Sequence, residues 1–431
     1  MKHRGILALL IALAGLALLI GCQPAATANW AASTDCKACH SGETSSTYGP
    51  LVLANKAGYE NSGHFNGPRV LIAGAVGQFE FDGSDAMYCN GVSGTTACSK
   101  CHTSQGFVSW LTTGTAGNQE PASPPGCFTC HKPHETGDFS LRTEAATTLV
   151  DGTTYNYGAG NLCANCHQSL TGAATWLAGP YATTTASPVI PVLQWASYNG
   201  SHHGPQSDII LGKNFYAEGA NTYAGASAHV AGAGAPADSC VSCHKFDPAT
   251  GNLSGSLELG GHGFYLTGDV HGAQKDITAL CKTCHASAGT TFPTTHLAPA
   301  DWDGNGSVQD KLLEIKGLRN TLLGYFATAA NFPGGTPTPI VKPDGVTTFT
   351  LDGTGVHNEW HQDWVFNQSS TKIQLDAPQS QAYWNLKLSM EDRSGGIHNP
   401  TFVAQILYDS IDILNLDANY PVTLTKGTRP Q

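Results

Sequence analysis

Six copies of one short pattern, C-x-x-C-H, contain twelve of the fourteen cysteines in this 431-residue chain. Each copy places two thiols three residues apart and an imidazole directly after the second thiol. Thiols at this spacing on one turn reach the two vinyl groups of a porphyrin, and the imidazole that follows binds the iron. The pattern therefore predicts six covalently attached c-type haems. The predicted attachment residues are Cys36, Cys39 and His40; Cys98, Cys101 and His102; Cys127, Cys130 and His131; Cys163, Cys166 and His167; Cys240, Cys243 and His244; and Cys281, Cys284 and His285.

Three other uses of paired cysteines explain this pattern less well. Disulfides are common in exported chains, but they do not require a histidine after every second cysteine. Structural zinc sites need two cysteine pairs for each ion and no histidine at a fixed position. A thioredoxin-like redox motif needs a βαβ setting and normally occurs once. Cys89 belongs to none of the six copies, and we interpret it as a buried, inert thiol.

The overall composition narrows the class of protein. Charged residues make up only 12% of the chain, and the 50 Gly and 23 Pro exclude a coiled coil or a long helical repeat. The apolar content of 41% argues against global disorder. Asp and Glu total 32 against 21 Lys and Arg, so the chain is acidic, which argues against nucleic acid as a partner.

The first residues have the pattern of an export signal. A basic start precedes an apolar run over residues 5–20 that is too short for a convincing transmembrane helix. The run ends in L-I-G-C, which resembles the lipobox of bacterial lipoproteins and implies acylation of Cys22. We therefore expect a signal peptide over residues 1–21, a lipid anchor at Cys22 and a tether over residues 22–32. The alternative is a plain signal peptide with a chance cysteine, and both interpretations predict an exported protein.

The histidine count permits a second histidine ligand at each iron. Eleven of the 18 histidines remain after the six motif histidines and His3 of the signal are set aside. His134 lies three residues beyond His131 in C-x-x-C-H-x-P-H, where a rigid turn could aim it at a neighbouring haem. Four others follow or adjoin small residues, which let a backbone come close to a porphyrin face. These four are His64, His203, His229 and His262.

The fragments around these histidines resemble a known family. They read S-x-H, C-x-x-C-H-x-P-H, H-H-G-P-Q, S-A-H ahead of a C-x-x-C-H, and G-G-H, and they are similar to fragments of exported multihaem c-type cytochromes. The resemblance is to relatives of the cytochrome c554, pentahaem nitrite reductase and octahaem hydroxylamine oxidoreductase group. It implies that the distal haem ligands include His64, His134, His203, His229 and His262, with His202 as an alternative to His203.

One more fragment of the same kind precedes the last predicted helix. Residues 394–400 read S-G-G-I-H-N-P, and they resemble the G-V-H-N-P element of these cytochromes, which implies His398 as a sixth distal ligand. The alternative is a surface histidine that caps the helix. Four further histidines stay in reserve as replacement haem ligands or as ligands of another metal: His271, His296, His357 and His361.

Oxygen-bearing side chains alternate in the segment after the last motif. Residues 301–307 read D-W-D-G-N-G-S, like the opening of a calcium loop with a glycine at its sharp turn. An EF-hand would have Glu at the twelfth position, where this chain has Leu312. Either calcium binds here or the segment is a turn that caps the next helix. The candidate calcium ligands are Asp301, Asp303, Asn305, Ser307 and Asp310, the nearest acid to that position.

Three helices are predicted near the C-terminus, and the spacing of apolar residues indicates the first of them. The last of them has Asn399 as its N-cap and Pro400 as its first residue. The predicted helices cover residues 308–328, 379–392 and 400–414.

The haem-bearing part of the chain needs only short helices, joined by Gly- and Pro-rich loops, because the porphyrins supply much of its core. We therefore expect a mainly α fold with extensive loops. It would consist of a haem-packed cytochrome domain over residues 33–295 and a C-terminal helical section over residues 296–431.

Two functions of different classes are compatible with this organisation. Six low-spin haems make an electron carrier at the outer membrane or cell surface, whose partners are other redox proteins or an extracellular electron acceptor. The alternative is a reductase of nitrite, hydroxylamine or a sulfur oxyanion at a haem with an open distal site. The C-x-x-C-K motif typical of the catalytic haem in pentahaem nitrite reductases does not occur in this chain, which disfavours the reductase. A subunit of a cytochrome filament is compatible with electron transfer.

Overall fold

The computed structural model describes thirteen stretches of the chain. They are residues 49–65, 97–116, 125–178, 193–194, 200–202, 204–246, 259–270, 273–292, 296–331, 340–341, 365–366, 372–373 and 375–431. The signal peptide with Cys22, the tether and the first C-x-x-C-H motif lie outside these residues, as do Cys89, His203, His271, His357 and His361. The side chains of Cys98 and His134 also lie outside the description, although their backbone is within it.

Helices account for 44% of the described residues. This confirms the predicted mainly α class for this part of the chain. Within the described residues, no helix is both long enough and apolar enough to cross a bilayer. The helices are α1 (Gly49–Glu60), α2 (Ala97–His102), α3 (Ser104–Thr113), α4 (Cys127–Cys130), α5 (Pro133–Thr136), α6 (Gly160–Ala164), α7 (Ala173–Ala178), α8 (Gln206–Leu211), α9 (Ala228–Ala231), α10 (Cys240–His244), α11 (Lys311–Phe326), α12 (Ala377–Glu391) and α13 (Pro400–Asn415).

The described strands are two to four residues long and form four two-stranded antiparallel pairs. Strands this short do not form a sheet with its own hydrophobic core, and they connect loop segments by a few backbone hydrogen bonds. The pairs are β1 (Thr147–Thr148) with β2 (Thr154–Tyr155), β3 (Leu193–Gln194) with β8 (Lys372–Ile373), β4 (Thr267–Val270) with β5 (Ala273–Asp276), and β6 (Ile340–Val341) with β7 (Val365–Phe366).

The chain forms two compact units, residues 1–142 and residues 143–431. In the first unit, the second and third haem motifs are joined by hydrogen bonds through their flanking residues. The Ser104 hydroxyl follows the second motif and lies 2.8 Å from the Thr129 hydroxyl inside the third. The same Ser104 oxygen accepts the Gly126 N–H at 2.9 Å. The two motifs are therefore neighbours in space as well as in sequence.

In the second unit, the three longest helices enclose the largest apolar core. Helix α12 packs along α13, and α11 packs against α13. Their facing side chains are fully buried, among them Leu322, Trp384 and Leu407. Burying a leucine contributes about 2 kcal/mol to stability, so these helices hold together through their own side chains.

The three predicted C-terminal helices are confirmed, with ends within three residues of the predicted ones. Two of them begin where an aspartate caps the first turn. Asp310 accepts the Leu312 N–H ahead of α11, and Asp376 accepts the Gln379 N–H ahead of α12. Asn399 lies at the N-cap of α13 as predicted, but its amide donates to the Gly225 carbonyl at 2.9 Å instead of capping the helix.

The fourth, fifth and sixth motifs lie on short elements between residues 143 and 292, here called the motif region. They occupy α6, α10 and a 3-10 turn at Cys281–Thr283. The apolar clusters of this region are small, one including Tyr155 and the other Leu259. The predicted boundary between residues 295 and 296 stays a prediction.

Candidate functional site

In the third, fourth and sixth motifs, a backbone hydrogen bond closes one helical turn that ends at the histidine. In each, the histidine N–H donates to the carbonyl of the first cysteine, four residues earlier. Residues i, i+3 and i+4 share one face of a helical turn, so both thiols and the imidazole project to the same side. The N–H to carbonyl distances are 2.9 Å for His131 and Cys127, 2.9 Å for His167 and Cys163, and 2.7 Å for His285 and Cys281.

Neutral oxygen atoms accept the Nδ1–H of three motif histidines. His131 faces the Ser140 carbonyl at 3.3 Å, His167 faces the Gln206 amide oxygen at 3.0 Å, and His244 faces the Phe264 carbonyl at 2.8 Å. An oxygen acceptor at Nδ1 fixes the proton there and leaves the lone pair on Nε2. A histidine that binds a metal through Nε2 has this tautomer and usually donates its Nδ1–H in this way.

Local backbone structure holds two of these acceptors in place. Gln206 begins α8 and donates its amide N–H to the Asp392 carbonyl at 3.0 Å, so its oxygen must face His167. Phe264 has a φ of 65°, a conformation that costs a non-glycine residue about 1–3 kcal/mol. That conformation presents its carbonyl to His244, so the strain serves to orient the ring.

His398 differs because its Nδ1 faces a carboxylate. The ring nitrogen lies 2.6 Å from Asp392 Oδ1, and Asp392 is 1% exposed. The Ser394 hydroxyl donates to the other oxygen of Asp392. Positive φ values at Arg393, Gly395 and Gly396 fold this S-G-G-I-H-N-P segment back on the end of α12. The predicted alternative was a surface histidine that caps α13, but the His398 ring bonds to the Asp392 carboxylate.

The rings of His244 and His398 lie at a distance suited to one iron between them. Their centroids are 6.3 Å apart, with an angle of 50° between the ring planes. An imidazole nitrogen binds a first-row metal at about 2 Å, and the ring centre lies roughly 1 Å behind that nitrogen, so two such ligands place their centres about 6 Å apart. Since both rings use Nδ1 elsewhere, their Nε2 atoms are the ones available for a metal. These residues fit a bis-histidine haem at the fifth motif.

A second pair of rings has the same separation. The centroids of His285, from the sixth motif, and His229, from α9, are 6.4 Å apart. His296 is closer to His285, with centroids 5.2 Å apart, which is short for two ligands across one iron. By distance, His229 fits the distal position at the sixth motif better than His296, which the sequence had kept in reserve.

Burial keeps two of these imidazoles neutral, the form that binds a metal. It lowers the pKa of His244, and it also lowers the pKa of His229, to which the charges of His398 and His285 add. At His398 burial acts in the same direction, but the charge and hydrogen bond of Asp392 outweigh it and raise the pKa.

The thiols of the fifth motif lie in the electrostatic field of both neighbouring motifs. A hydrogen bond from Cys163 of the fourth motif holds the pKa of Cys240 well below its usual range, against the effect of burial. Burial, followed by the charge of Cys281 in the sixth motif, raises the pKa of Cys243 to about 11. A Cβ on Gly160 would lie 2.9 Å from Ser239 Cβ, so the absence of a side chain allows the fourth and fifth motifs to approach.

Three other predicted distal histidines have described side chains. His64 is partly buried just beyond α1, and His202 has a φ of 65° between Gly200 and Gly204. The Nε2 of His262 lies 3.1 Å from the Lys245 amine, which follows the fifth motif. Their assignment as haem ligands stays a prediction.

The candidate calcium loop brings three carboxylates together. Oxygens of Asp301, Asp303 and Glu314 lie within 4.8 Å of one another. Asp310 lies outside this cluster and caps α11, while the side chain of Asn305 bonds to Asp303 and Gln309. Burial, with the charges of Glu314 and Asp301, raises the pKa of Asp303 to about 6, and bound Ca²⁺ would relieve this repulsion.

Sequence reasoning did not single out Glu314, Asp392 or Gln206. Each left a weak signal. Glu314 falls on the apolar face of α11, where a charge needs a reason. Asp392 precedes His398 by six residues, and Gln206 is the last letter of H-H-G-P-Q.

The comparisons with known proteins agree with the haem motifs. The chain is 24% identical, over 412 residues, to the C-type polyheme cytochrome OmcB in two strains of Geobacter sulfurreducens. The alignment covers 90% of this chain and 45% of the relatives, so the chain spans less than half the length of the curated relatives it matches. No protein-family model and no solved structure matches the chain. The similarity supports a multihaem c-type cytochrome.

Proposed function

We propose that this chain is an exported electron-transfer protein that carries six c-type haems, each with two histidine ligands. The observation that carries the proposal is the facing pair of His244 and His398 at the fifth motif. The distance between the two rings and the Nδ1 bond of each ring suit an iron between them. The similarity to a polyheme cytochrome supports the same class of cofactor.

The side chains divide the work of holding each haem. The two cysteines of each motif attach it covalently, and the histidine that follows is the proximal ligand. A bound haem supplies a one-electron Fe(III)/Fe(II) couple. The proposed distal ligands are His64, His134, His203, His229, His262 and His398. Because a second histidine closes the sixth coordination position, no site for a substrate remains at such an iron.

The proposal includes the place of action. Cleavage of residues 1–21 and acylation of Cys22 would tether the protein at the outer membrane or cell surface, where its partners are other redox proteins or an extracellular acceptor. We also place the chain in the broad group of cytochrome c554 and its multihaem relatives. Replacing Cys22 with Ser should release the protein from membranes and leave its haem spectrum unchanged. Membrane association that persists in this variant would exclude the lipid anchor.

Haem count and spin state test the central claim. Pyridine haemochrome and intact mass should give six haems per chain, and a count of four or fewer would contradict it. The oxidised protein should show only low-spin signals in electron paramagnetic resonance, and the reduced protein should not bind carbon monoxide. A stoichiometric high-spin signal would instead favour a reductase of nitrite, hydroxylamine or a sulfur oxyanion.

Calcium is the second proposed ligand, at Asp301, Asp303 and Glu314. Asn305 and Ser307, the other loop ligands predicted from the sequence, are exposed. Adding Ca²⁺ to protein treated with a chelator should raise its Tm, and Glu314→Gln should abolish the increase. An equal increase in the variant would show that calcium binds elsewhere.

A further inference from the structure

The two histidines proposed to bind one iron at the fifth motif differ in the charge of the group that accepts their Nδ1–H. His244 donates its Nδ1–H to the Phe264 carbonyl, a neutral acceptor, at 2.8 Å. His398, on the other side of the same candidate iron, donates to the Asp392 carboxylate at 2.6 Å. A bond to an ionised acceptor is roughly twice as strong as a bond between neutral groups.

The surroundings of Asp392 keep its carboxylate aimed at His398. The carboxylate is buried, and its second oxygen accepts the Ser394 hydroxyl. Ser394 must donate in that direction, because its oxygen already accepts the backbone N–H groups of Gly396 and His398 at 3.2 and 3.3 Å. The positive charge nearest in sequence, Arg393, is about half exposed and reaches Glu391 at 4.0 Å. The Asp392 charge therefore acts mainly on the His398 ring.

The backbone of Asp392 also meets the fourth motif. Its carbonyl accepts the Gln206 side-chain N–H at 3.0 Å, and the Gln206 oxygen accepts the His167 Nδ1–H at 3.0 Å. Gln206 is neutral, so His167 has the same kind of acceptor as His244. One connected set of hydrogen bonds thus gives His167 a neutral acceptor and His398 a carboxylate.

We propose that Asp392 is a positioning residue that lowers the reduction potential of the haem held by His244 and His398. The inference rests on the proposed function. A carboxylate at Nδ1 gives the imidazole partial imidazolate character, which makes Nε2 a stronger donor and favours Fe(III) over Fe(II). The couple exchanges one electron at the iron, and the Nδ1 proton stays in the hydrogen bond in both states, so no co-reactant is needed.

The test is Asp392→Asn in the full, haem-loaded chain. The amide keeps the size and a hydrogen-bonding oxygen but removes the charge. We expect six haems as before, and one of six one-electron potentials higher by about 59 mV, which corresponds to a tenfold change in the redox equilibrium. One low-spin resonance signal should shift with it. Asp412→Asn is the matched control, because it removes the same charge from a carboxylate on α13 that pairs with Lys426.

The outcomes separate this inference from the proposed function. Six haems with unchanged potentials in Asp392→Asn would overturn the role of Asp392 and leave electron transfer intact. A natural protein with four or fewer haems, or with no low-spin signal, would overturn the proposed function itself. If Asp392→Asn does not fold, Ser394→Ala decides, because it removes the hydroxyl that keeps the carboxylate aimed at His398 and should weaken that bond. In that variant one potential should move up, and a downward or absent shift would refute the proposal.

Discussion

The motif region and the C-terminal helices differ in what holds them together. In the motif region, helices of four to six residues surround apolar clusters that include six and two buried side chains. The C-terminal helices α11 to α13 have 15 or 16 residues and share a cluster that contains Trp384, Phe402 and Leu407. A helix of one turn is not stable without outside contacts. Part of the motif region, with Ala173, Trp176 and Ile209, packs into the C-terminal cluster, and we expect the rest to depend on its haems.

The difference shows that the haem motifs and the largest side-chain core lie in different regions of the chain. The motif region, which contains three of the six motifs, has only small apolar clusters of its own, and the region with the large side-chain core contains no motif. His398 belongs to the second region and faces His244 in the first. The C-terminal helices therefore act as a scaffold that delivers one imidazole and its carboxylate to the motif region.

The largest expected effect comes from removing one haem. The double variant Cys240→Ala, Cys243→Ala should lose one haem by mass and lose amide protection through the motif region, since no other core replaces the porphyrin. Helices α12 and α13 should stay protected in the same hydrogen-exchange experiment. Cys89→Ser, outside every motif, is the control and should keep six haems. Full protection of the motif region in the double variant would erase the distinction between the two regions.

Next in size is a cavity in the scaffold. Leu407→Ala, at a fully buried position, should lower the free energy of unfolding by about 2–5 kcal/mol, measured by denaturant titration of the helical signal. The haem content should not change. Leu416, which is 75% exposed, offers the control variant Leu416→Ala with an effect near zero. Loss of haem in Leu407→Ala would mean that attachment depends on the scaffold.

A smaller change should follow from removing the distal ligand of the sixth motif. His229→Ala should convert one haem of six to a form that binds carbon monoxide when reduced, with the fold intact because both thioether bonds remain. His296→Ala is the matched control and should leave every haem low-spin. The opposite pattern, with carbon monoxide bound only in His296→Ala, would reverse the assignment of the distal ligand.

The smallest predicted effect is a pH dependence confined to the scaffold. Burial, with the charge of nearby Asp417, raises the pKa of Asp376 to about 7, from an ordinary value of 3.8. Its contribution to stability is therefore complete below about pH 4 and is lost as the pH rises through 7. The scaffold should be less stable at pH 8 than at pH 5, by on the order of 1 kcal/mol. Asp417→Asn removes the repulsion and should flatten this dependence in thermal unfolding; an equally steep dependence would contradict it.

The sequence predicts the helical turns of the motifs and the long helices well because both depend on local spacing. The C-x-x-C-H pattern is defined by five consecutive residues, and the five described motifs begin or lie within helical turns. The sequence located α11, α12 and α13 to within three residues of each end, with the 3.6-residue period indicating α11 and the Asn-Pro cap indicating the start of α13. These features need no knowledge of distant parts of the chain.

The sequence does not reveal which imidazole faces which, because that depends on contacts between distant segments. Nothing near His244 indicates His398, and nothing near His285 prefers His229 to His296. The hydrogen-bond acceptors of the rings are even harder to predict, because every residue has a backbone carbonyl and the residue type does not mark the one that Phe264 supplies. Glu314 joins Asp301 and Asp303 only because α11 folds back over the loop.

The bond between Gln206 and Asp392 joins residues that are 186 positions apart, and this separation has a consequence for assembly. Closing so large a loop costs more chain entropy than forming any local turn, and non-local contacts of this kind slow folding. We therefore expect the docking of α12 and α13 to be a slow step of folding, and His398 to reach the fifth motif only with that step.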